Sequence, residues 1–365
     1  MIPFLDLRAS YRALKSEIDR AVMRVLDSGW YILGPEVEAF EAEWATYCGA
    51  DHAVGLANGL DALILALRAL EVGPGDEVIV PSNTFIATWL AVTAVGARPV
   101  PVEPDPATQN IDPARIAPAI TSATKVILPV HLYGQPADLD PILALGRSRG
   151  IAVVEDAAQA HGSRYKGRRI GAHGDVVCWS FYPGKNLGAL GDGGAITTNR
   201  ADLAERIAML RNYGSKIKYV NEMQGGNSRL DPVQAAVLRV KLPHLDAWTD
   251  HRRSLASAYG AQLQEFRLIL PYVPDWADPA WHLYVIRSAD RDELQRKLTA
   301  AGVNTLIHYP IPPHMQAAYS RLDLAPEALP LARSLADEVL SLPIGPQLDM
   351  ADAQRVIDAV RAAAP

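Results

Sequence analysis

Cysteine is nearly absent from this chain: among 365 residues only Cys48 and Cys178 occur. They stand far apart and without metal-ligand spacing, which excludes a disulfide scaffold and a cysteine-based metal centre and fits a reduced, cytoplasmic protein. Long apolar runs are missing too. None approaches the roughly 20 residues that a helix needs to cross a bilayer, so no membrane partner is expected. The opening Met1-Ile2-Pro3-Phe4-Leu5-Asp6 lacks the basic stretch and apolar core of a secretory signal. Lysine and arginine form no block, and the formal net charge of −6 argues against a nucleic-acid partner. There are no repeats, low-complexity tracts or long disordered linkers. What is left, 49% hydrophobic and 21% charged, has the composition of an ordinary globular enzyme. Its length exceeds what one core usually holds, so two domains are expected.

Apolar periodicity sets the organisation. Residues 12–28 read as an amphipathic helix with Ile18, Val22, Val25 and Leu26 on one face, ended by Ser28-Gly29. Helix and strand then alternate. A Leu/Ala-rich helix over 61–70 leads through Gly73-Pro74-Gly75-Asp76 to a strand at 77–80, and a helix over 84–95 to a strand at 98–102. Further strands are predicted at 125–130, 151–155 and 176–181, with a helix over 138–148. Short apolar strands separated by helices predict βαβ units, hence an α/β fold with a mostly parallel sheet covered on both faces. Asp231-Pro232 opens a helix running to Lys241, which Pro243 is expected to stop. A boundary there gives a large domain over 1–245 and a small α+β domain over 246–365. The latter has strands at 282–286 and 304–309, a helix over 292–301 and two more helices.

The chemistry gathers at strand ends, where ligands of such sheets bind. Lys185 follows the apolar run to Phe181 inside the turn Pro183-Gly184-Lys185-Asn186-Leu187-Gly188. Most lysines are solvated, but this one follows a buried strand in a turn too rich in glycine to pack as core. Such a lysine can hold a carbonyl compound as a Schiff base. Upstream, Val153-Val154-Glu155-Asp156 ends another apolar strand in an acidic pair. Alternation allows only one carboxylate to face a given side, and Asp156, nearer the strand end, is the better candidate. A lysine plus a strand-end aspartate is what pyridoxal phosphate (PLP) asks of a protein: an amine for its aldehyde and a carboxylate for its ring nitrogen. Released, the same lysine is the base that moves the proton. Gln159 is placed to reach the cofactor's phenolic oxygen, and His161 is a supporting residue or a structural one. Asn58-Gly59-Leu60 opens a helix whose first amides suit a phosphate, although Asn-Gly is also a common turn. Ser180 adds a hydroxyl, and Phe85 is either a ring-stacking aromatic or core. Metal ligands are not expected.

Taken together, these segments resemble the DegT/DnrJ/EryC1/StrS family of sugar aminotransferases, of the aspartate aminotransferase fold type (type I) of PLP enzymes. The resemblance spans nearly the whole chain. It is carried by Pro3-Phe4-Leu5-Asp6-Leu7, residues 73–78, Pro129-Val130-His131-Leu132-Tyr133-Gly134-Gln135, residues 155–162, Ser180 to Gly194, and Gly226-Asn227-Ser228-Arg229-Leu230-Asp231. It implies Lys185 as the Schiff-base lysine, Asp156 on the pyridinium nitrogen, Gln159 against the ring and Phe85 stacked on it. It implies phosphate ligands in Ser180, the amides of Gly59 and Leu60, and Asn227 from the other subunit of a homodimer with shared sites. Tyr182-Pro183-Gly184-Lys185 resembles the branch acting on 3-keto sugars linked to a nucleotide, often dTDP-6-deoxyhexoses, whereas the 4-keto branch tends to carry histidine at Tyr182. Tyr182 and His308 are candidates for touching the sugar, and Arg211 and Lys218 for its diphosphate. The implied reaction is amination of a nucleotide-linked keto sugar with L-glutamate as donor. Rivals are a UDP-linked 3-keto sugar, a dTDP-4-keto sugar, a cyclitol ketone, a dehydrase relative (which Lys185 speaks against) and a regulatory protein that holds PLP without turnover.

Overall fold

In the computed structural model, which describes residues 1–322 and 324–364, the expected parallel sheet is present with seven strands. In chain order they are β1 (His52–Leu56), β2 (Glu77–Pro81), β3 (Arg98–Val102), β4 (Thr124–Ile127), β5 (Ala152–Asp156), β6 (Val176–Ser180) and β7 (Gly194–Thr198). Their order across the sheet is β1-β7-β6-β5-β4-β2-β3. Only β7 runs against its neighbours, β1 and β6; the rest pair in parallel, with Asp156 opposite Cys178 at the β5–β6 carboxyl end. Val126, Ile127, Val154, Val176 and Val177 are fully buried, as strands covered on both faces must be.

The helices α1 (Leu7–Ala13), α2 (Lys15–Ser28), α3 (Pro35–Cys48), α4 (Gly59–Ala69), α5 (Ala87–Ala94), α6 (Leu139–Arg149), α7 (Ala201–Leu210) and α8 (Pro232–Lys241) accompany this sheet. The helix expected over 12–28 is thus broken at Leu14 into α1 and α2. Ile18, Ala21 and Val25 are buried, clustering with Ala236 and Val237 of α8. Leu26 is 46% exposed: one residue past Val25 it is turned about 100° away from the packed stripe. Gly29 ends α2 in the left-handed conformation.

α8 ends at Lys241, ahead of Pro243, as expected. A 3₁₀ turn over Leu242–His244 carries the chain into α9 (Leu245–Leu263), with proline in a first turn where no amide hydrogen is needed. Leu245 of α9 packs under the large sheet with Trp44, Trp179 and Phe181. Leu255, Ala256, Tyr259 and Leu263 pack in a C-terminal core with Ile2. That core also holds α10 (Arg291–Ala300), α12 (Met350–Ala363) and an antiparallel pair, β8 (Tyr284–Arg287) with β9 (Val339–Leu342). β9 follows α11 (Pro330–Glu338). The strand expected over 304–309 does not form: Val303 and Leu306 make single bridges to Ile2 and Ser341. Beyond them the chain is drawn aside, as Tyr133 Oη donates to the His308 carbonyl at 2.5 Å and Ser341 Oγ meets His308 Nδ1 at 2.8 Å. Pro310 then offers no ladder donor.

Candidate active site

Every parallel strand of the sheet delivers its carboxyl end to one edge, and the predicted residues collect there. β5 ends in the acidic pair, and the two side chains part as a strand requires. Glu155, fully buried, accepts from Gly174 N at 2.5 Å and meets His131 Nε2 at 2.9 Å. Ala137 N donates to His131 Nδ1 at 3.0 Å, so Nε2 carries the ring proton and donates to Glu155. Burial raises the Glu155 carboxyl, but the His131 hydrogen bond, the nearby histidines and the Gly174 amide outweigh it and hold the group below the usual range. Asp156 takes the other side. Its Oδ2 accepts from Thr88 Oγ1 at 2.9 Å and its Oδ1 from Ala158 N at 3.2 Å. Burial pushes it up despite those bonds and the Lys185 charge.

β6 ends at Ser180, and the chain folds into the lysine turn. Phe181 N donates to Gly193 O at 2.7 Å, Ala189 N to Phe181 O at 2.8 Å and Lys185 N to Tyr182 O at 2.8 Å. Gly188 presses against the Pro183 carbonyl where no Cβ would fit. Among the described residues the Lys185 amine has no hydrogen-bond partner. Burial lowers it to about 8, against the raising charge of Asp156. The Lys185 charge helps burial to lower His161, His282 and His308.

α4 brings its N-terminus to the same edge. Asn58 caps it, accepting from Asp61 N at 2.8 Å, which leaves the first-turn amides of Gly59 and Leu60 without partners inside the helix. A Cβ on Gly59 would lie 2.6 Å from Ser180 Cβ; only glycine lets helix and strand end meet so closely. Gln159, 5% exposed, accepts from Tyr133 N at 2.5 Å and donates to Tyr309 Oη at 3.0 Å. Phe85 is 51% exposed, not core, and its ring centroid is 5.4 Å from that of Tyr309. The residues fit the cofactor expected from the sequence. A depressed amine would take an aldehyde, buried Asp156 a ring nitrogen, Phe85 and Gln159 the ring, and Gly59, Leu60 and Ser180 a phosphate.

Other candidates lie differently. His161 is enclosed by Trp44, Trp179 and Phe181 at 5.3 to 5.8 Å between centroids, and burial lowers it to about 3; it is a neutral packing ring. Arg211 is tied to Glu41 and donates to Gly55 O at 2.6 Å. Lys218 is exposed over Tyr219. Tyr182, three residues before Lys185, is 59% exposed. Asn227 is exposed, beside Ser228, whose hydroxyl accepts from Ala57 N at 3.3 Å.

The DegT/DnrJ/EryC1/StrS aminotransferase family matches residues 12–361 of the chain. The chain belongs to that family. It is 57% identical over 362 residues to a dTDP-3-amino-3,4,6-trideoxy-alpha-D-glucose transaminase of Streptomyces venezuelae, covering 99% of this chain and 95% of the relative. It is 59% identical over 364 residues to the erythromycin biosynthesis sensory transduction protein EryC1 of Saccharopolyspora erythraea, covering all of both. The crystal structure of S. venezuelae DesV in complex with a ketimine intermediate superposes with a TM-score of 0.98 at 56% identity, covering 99% of this chain and 98% of that one. The architecture is that of the PLP-dependent aminotransferases, as the sequence led one to expect.

In this aminotransferase several neighbours of the site had no clear signature. Thr88 reaches Asp156 from α5, and Tyr133 and Tyr309 bracket Gln159. Thr84, ahead of α5, lies 2.9 Å from Thr88 between hydroxyls, a pairing that no sequence spacing announced.

Proposed function

We propose that this aminotransferase uses pyridoxal phosphate to move an amino group from L-glutamate to the C3 ketone of a dTDP-linked 3-keto-6-deoxyhexose. The observation that carries the reading is the unpartnered, depressed Lys185 amine set beside buried Asp156 at the carboxyl edge of the sheet. The similarity to dTDP-3-amino sugar transaminases over the whole chain supports the sugar. PLP, when bound, supplies an aldehyde for an amine and a ring that takes up the electron pair left on the amine-bearing carbon. Asp156, anchored by Thr88, would keep a proton on the ring nitrogen. Gln159 would lie against the ring, and the amides of Gly59 and Leu60 with Ser180 would hold the phosphate. Lys185 would hold the aldehyde and, when free, would be the base that moves a proton from the donor's amine-bearing carbon and delivers one to the acceptor's. Tyr182 and His308 line the approach to the sugar.

The reading extends to a cytoplasmic homodimer with shared sites, Asn227 facing the partner's phosphate, and to a division of the chain near residue 245. Replacing Asn227 by Asp sets a carboxylate where an anion is to bind. PLP retention on dialysis is expected to fall; unchanged retention removes Asn227 from the cradle. The reaction itself is tested by offering the PLP-loaded protein L-glutamate with dTDP-3-keto- and dTDP-4-keto-6-deoxyglucose in parallel. NMR of the product should place nitrogen at C3. Nitrogen at C4, or turnover only with UDP-linked or cyclitol ketones, overturns the sugar. The name of the EryC1 relative raises a regulatory protein without turnover, and failure of glutamate to bleach the visible band of the loaded protein would favour it.

A further inference from the structure

The Lys185 turn is held from the far end of the chain. Residues 280–283 are threaded between that turn and the Tyr133–Gly134 corner, whose Tyr133 N donates to Gln159. Ala280 N donates to Gly134 O at 2.9 Å, and Leu283 N to Tyr133 O at 3.2 Å. A Cβ on Gly134 would lie 2.8 Å from His282 N. From behind, Arg252 of α9 donates through Nη1 to the carbonyls of Trp281, His282 and Ile344 at 3.0 to 3.2 Å. On the other side Asn186, the residue after Lys185 and 6% exposed, donates Nδ2 to Ala280 O at 2.9 Å and turns Oδ1 to His282 Nδ1 at 3.2 Å.

The first of those bonds fixes the Asn186 amide, so its oxygen must face the imidazole. An amide oxygen only accepts; His282 Nδ1 therefore carries the hydrogen. Burial and the charges of Lys185 and Arg252 keep the ring neutral. The cleft beside the turn, lined by Leu5, Lys241, Trp248 and Arg252 among others, leaves room on the other side of Lys185.

We propose that His282 is a positioning residue for Lys185: by donating Nδ1–H to Asn186 it fixes the peptide that follows the lysine, so that the amine is presented to Asp156 and not to the cleft. The inference rests on Lys185 being the residue that holds the cofactor. Through the Tyr133–Gly134 corner the same clasp sets the lysine turn in register with Gln159.

The test uses side chains that copy one ring nitrogen at a time. Asparagine places its amide nitrogen near the imidazole Nδ1 position, and glutamine near Nε2. Purified apoprotein is mixed with PLP, and growth of the visible band is timed; borohydride reduction and peptide mass spectrometry then identify the lysine that carries the cofactor. His282→Gln and His282→Ala are expected to slow capture on the order of tenfold, through lost orientation, while His282→Asn stays within about twofold, the residual expected when the bond is kept. Asn186→Ala, which also loses the bond to Ala280 O, should slow it at least as much as His282→Ala, and the double variant should be no slower than Asn186→Ala, because His282 acts through Asn186. Wild-type capture rates in His282→Ala and His282→Gln, an Asn variant no faster than Gln, or additive losses in the double variant would each overturn the proposal. Thermal melts identify a variant that fails to fold; if alanine does, the Asn and Gln pair still decides. Reduction that marks a lysine other than Lys185 would instead sink the parent reading.

Discussion

Two lysines flank the same cleft, half-buried Lys185 in the turn after β6 and buried Lys241 at the end of α8. Burial lowers both Lys185 and Lys241 to about 8, yet their surroundings differ. Lys241 gives its proton-bearing nitrogen to Gly188 O at 2.6 Å, closing the turn from beneath. Lys185, a few residues along that turn, has no hydrogen-bond partner among the described residues and feels the charge of Asp156. A displaced pKa therefore does not distinguish a reactive amine from a structural one. The unspent hydrogen-bonding capacity of the nitrogen, and the acid opposite, do.

Exchanging the two residues in turn breaks that comparison most severely. Lys185→Ala is expected to cut turnover on the order of 10⁴-fold, since nucleophile and base leave together, with little change in melting. Lys241→Met is expected to do the reverse. It deprives the buried Gly188 carbonyl of its donor, costing about 1–3 kcal/mol in denaturant unfolding, while turnover stays within an order of magnitude. Equal turnover losses from both would erase the distinction.

The neighbouring carboxylates extend the contrast. Asp156→Asn should lower turnover roughly 10²-fold, the scale for removing one fixed electrostatic partner, with stability nearly kept. Glu155→Gln leaves one amide oxygen for two donors, His131 Nε2 and Gly174 N. It is expected to cost about 1–3 kcal/mol with a smaller kinetic effect. A kinetic loss in Glu155→Gln as large as in Asp156→Asn would make the acidic pair a functional unit.

The finest test is a pH titration. Only the neutral amine attacks, so acylation of Lys185 in the apoprotein should rise through about pH 8, well below the usual 10.5 of a lysine. Asp156 is the group that raises this value, so Asp156→Asn should move the midpoint down. Lys241, titrating in the same range, should remain poorly labelled because its nitrogen is buried and engaged. Equal labelling of both, followed by mass spectrometry, would show that access and not valence had been read.

The order of strands and helices from α4 to β6, and the positions of Lys185 and Asp156, were legible because each follows from a local pattern: an apolar run, then polar residues where the run must end. β1 and β7 were not, their sequences His-Ala-Val-Gly-Leu and Gly-Ala-Ile-Thr-Thr being too small and mixed to stand out. Leu26 and the 304–309 segment misled because apolar content was read without the packing partner that decides it. Thr88 and His282 were invisible for a different reason. Their partners lie 68 and 96 residues away, and no spacing rule spans such distances. The acidic pair shows the limit from the other side: alternation said that the two part, but only His131 and Gly174 say which one is sequestered.

The unbroken α9 carries a mechanical consequence. Its 19 residues span roughly 28 Å at 1.5 Å each, rooted at Leu245 under the large sheet and at Leu263 in the C-terminal core. A hinge needs a few residues that can absorb a large change of φ and ψ, and a continuous helix offers none. The C-terminal core and the lysine turn therefore lean on one strut, whose first half carries Trp248 and Arg252 beside the cleft that Lys185 lines.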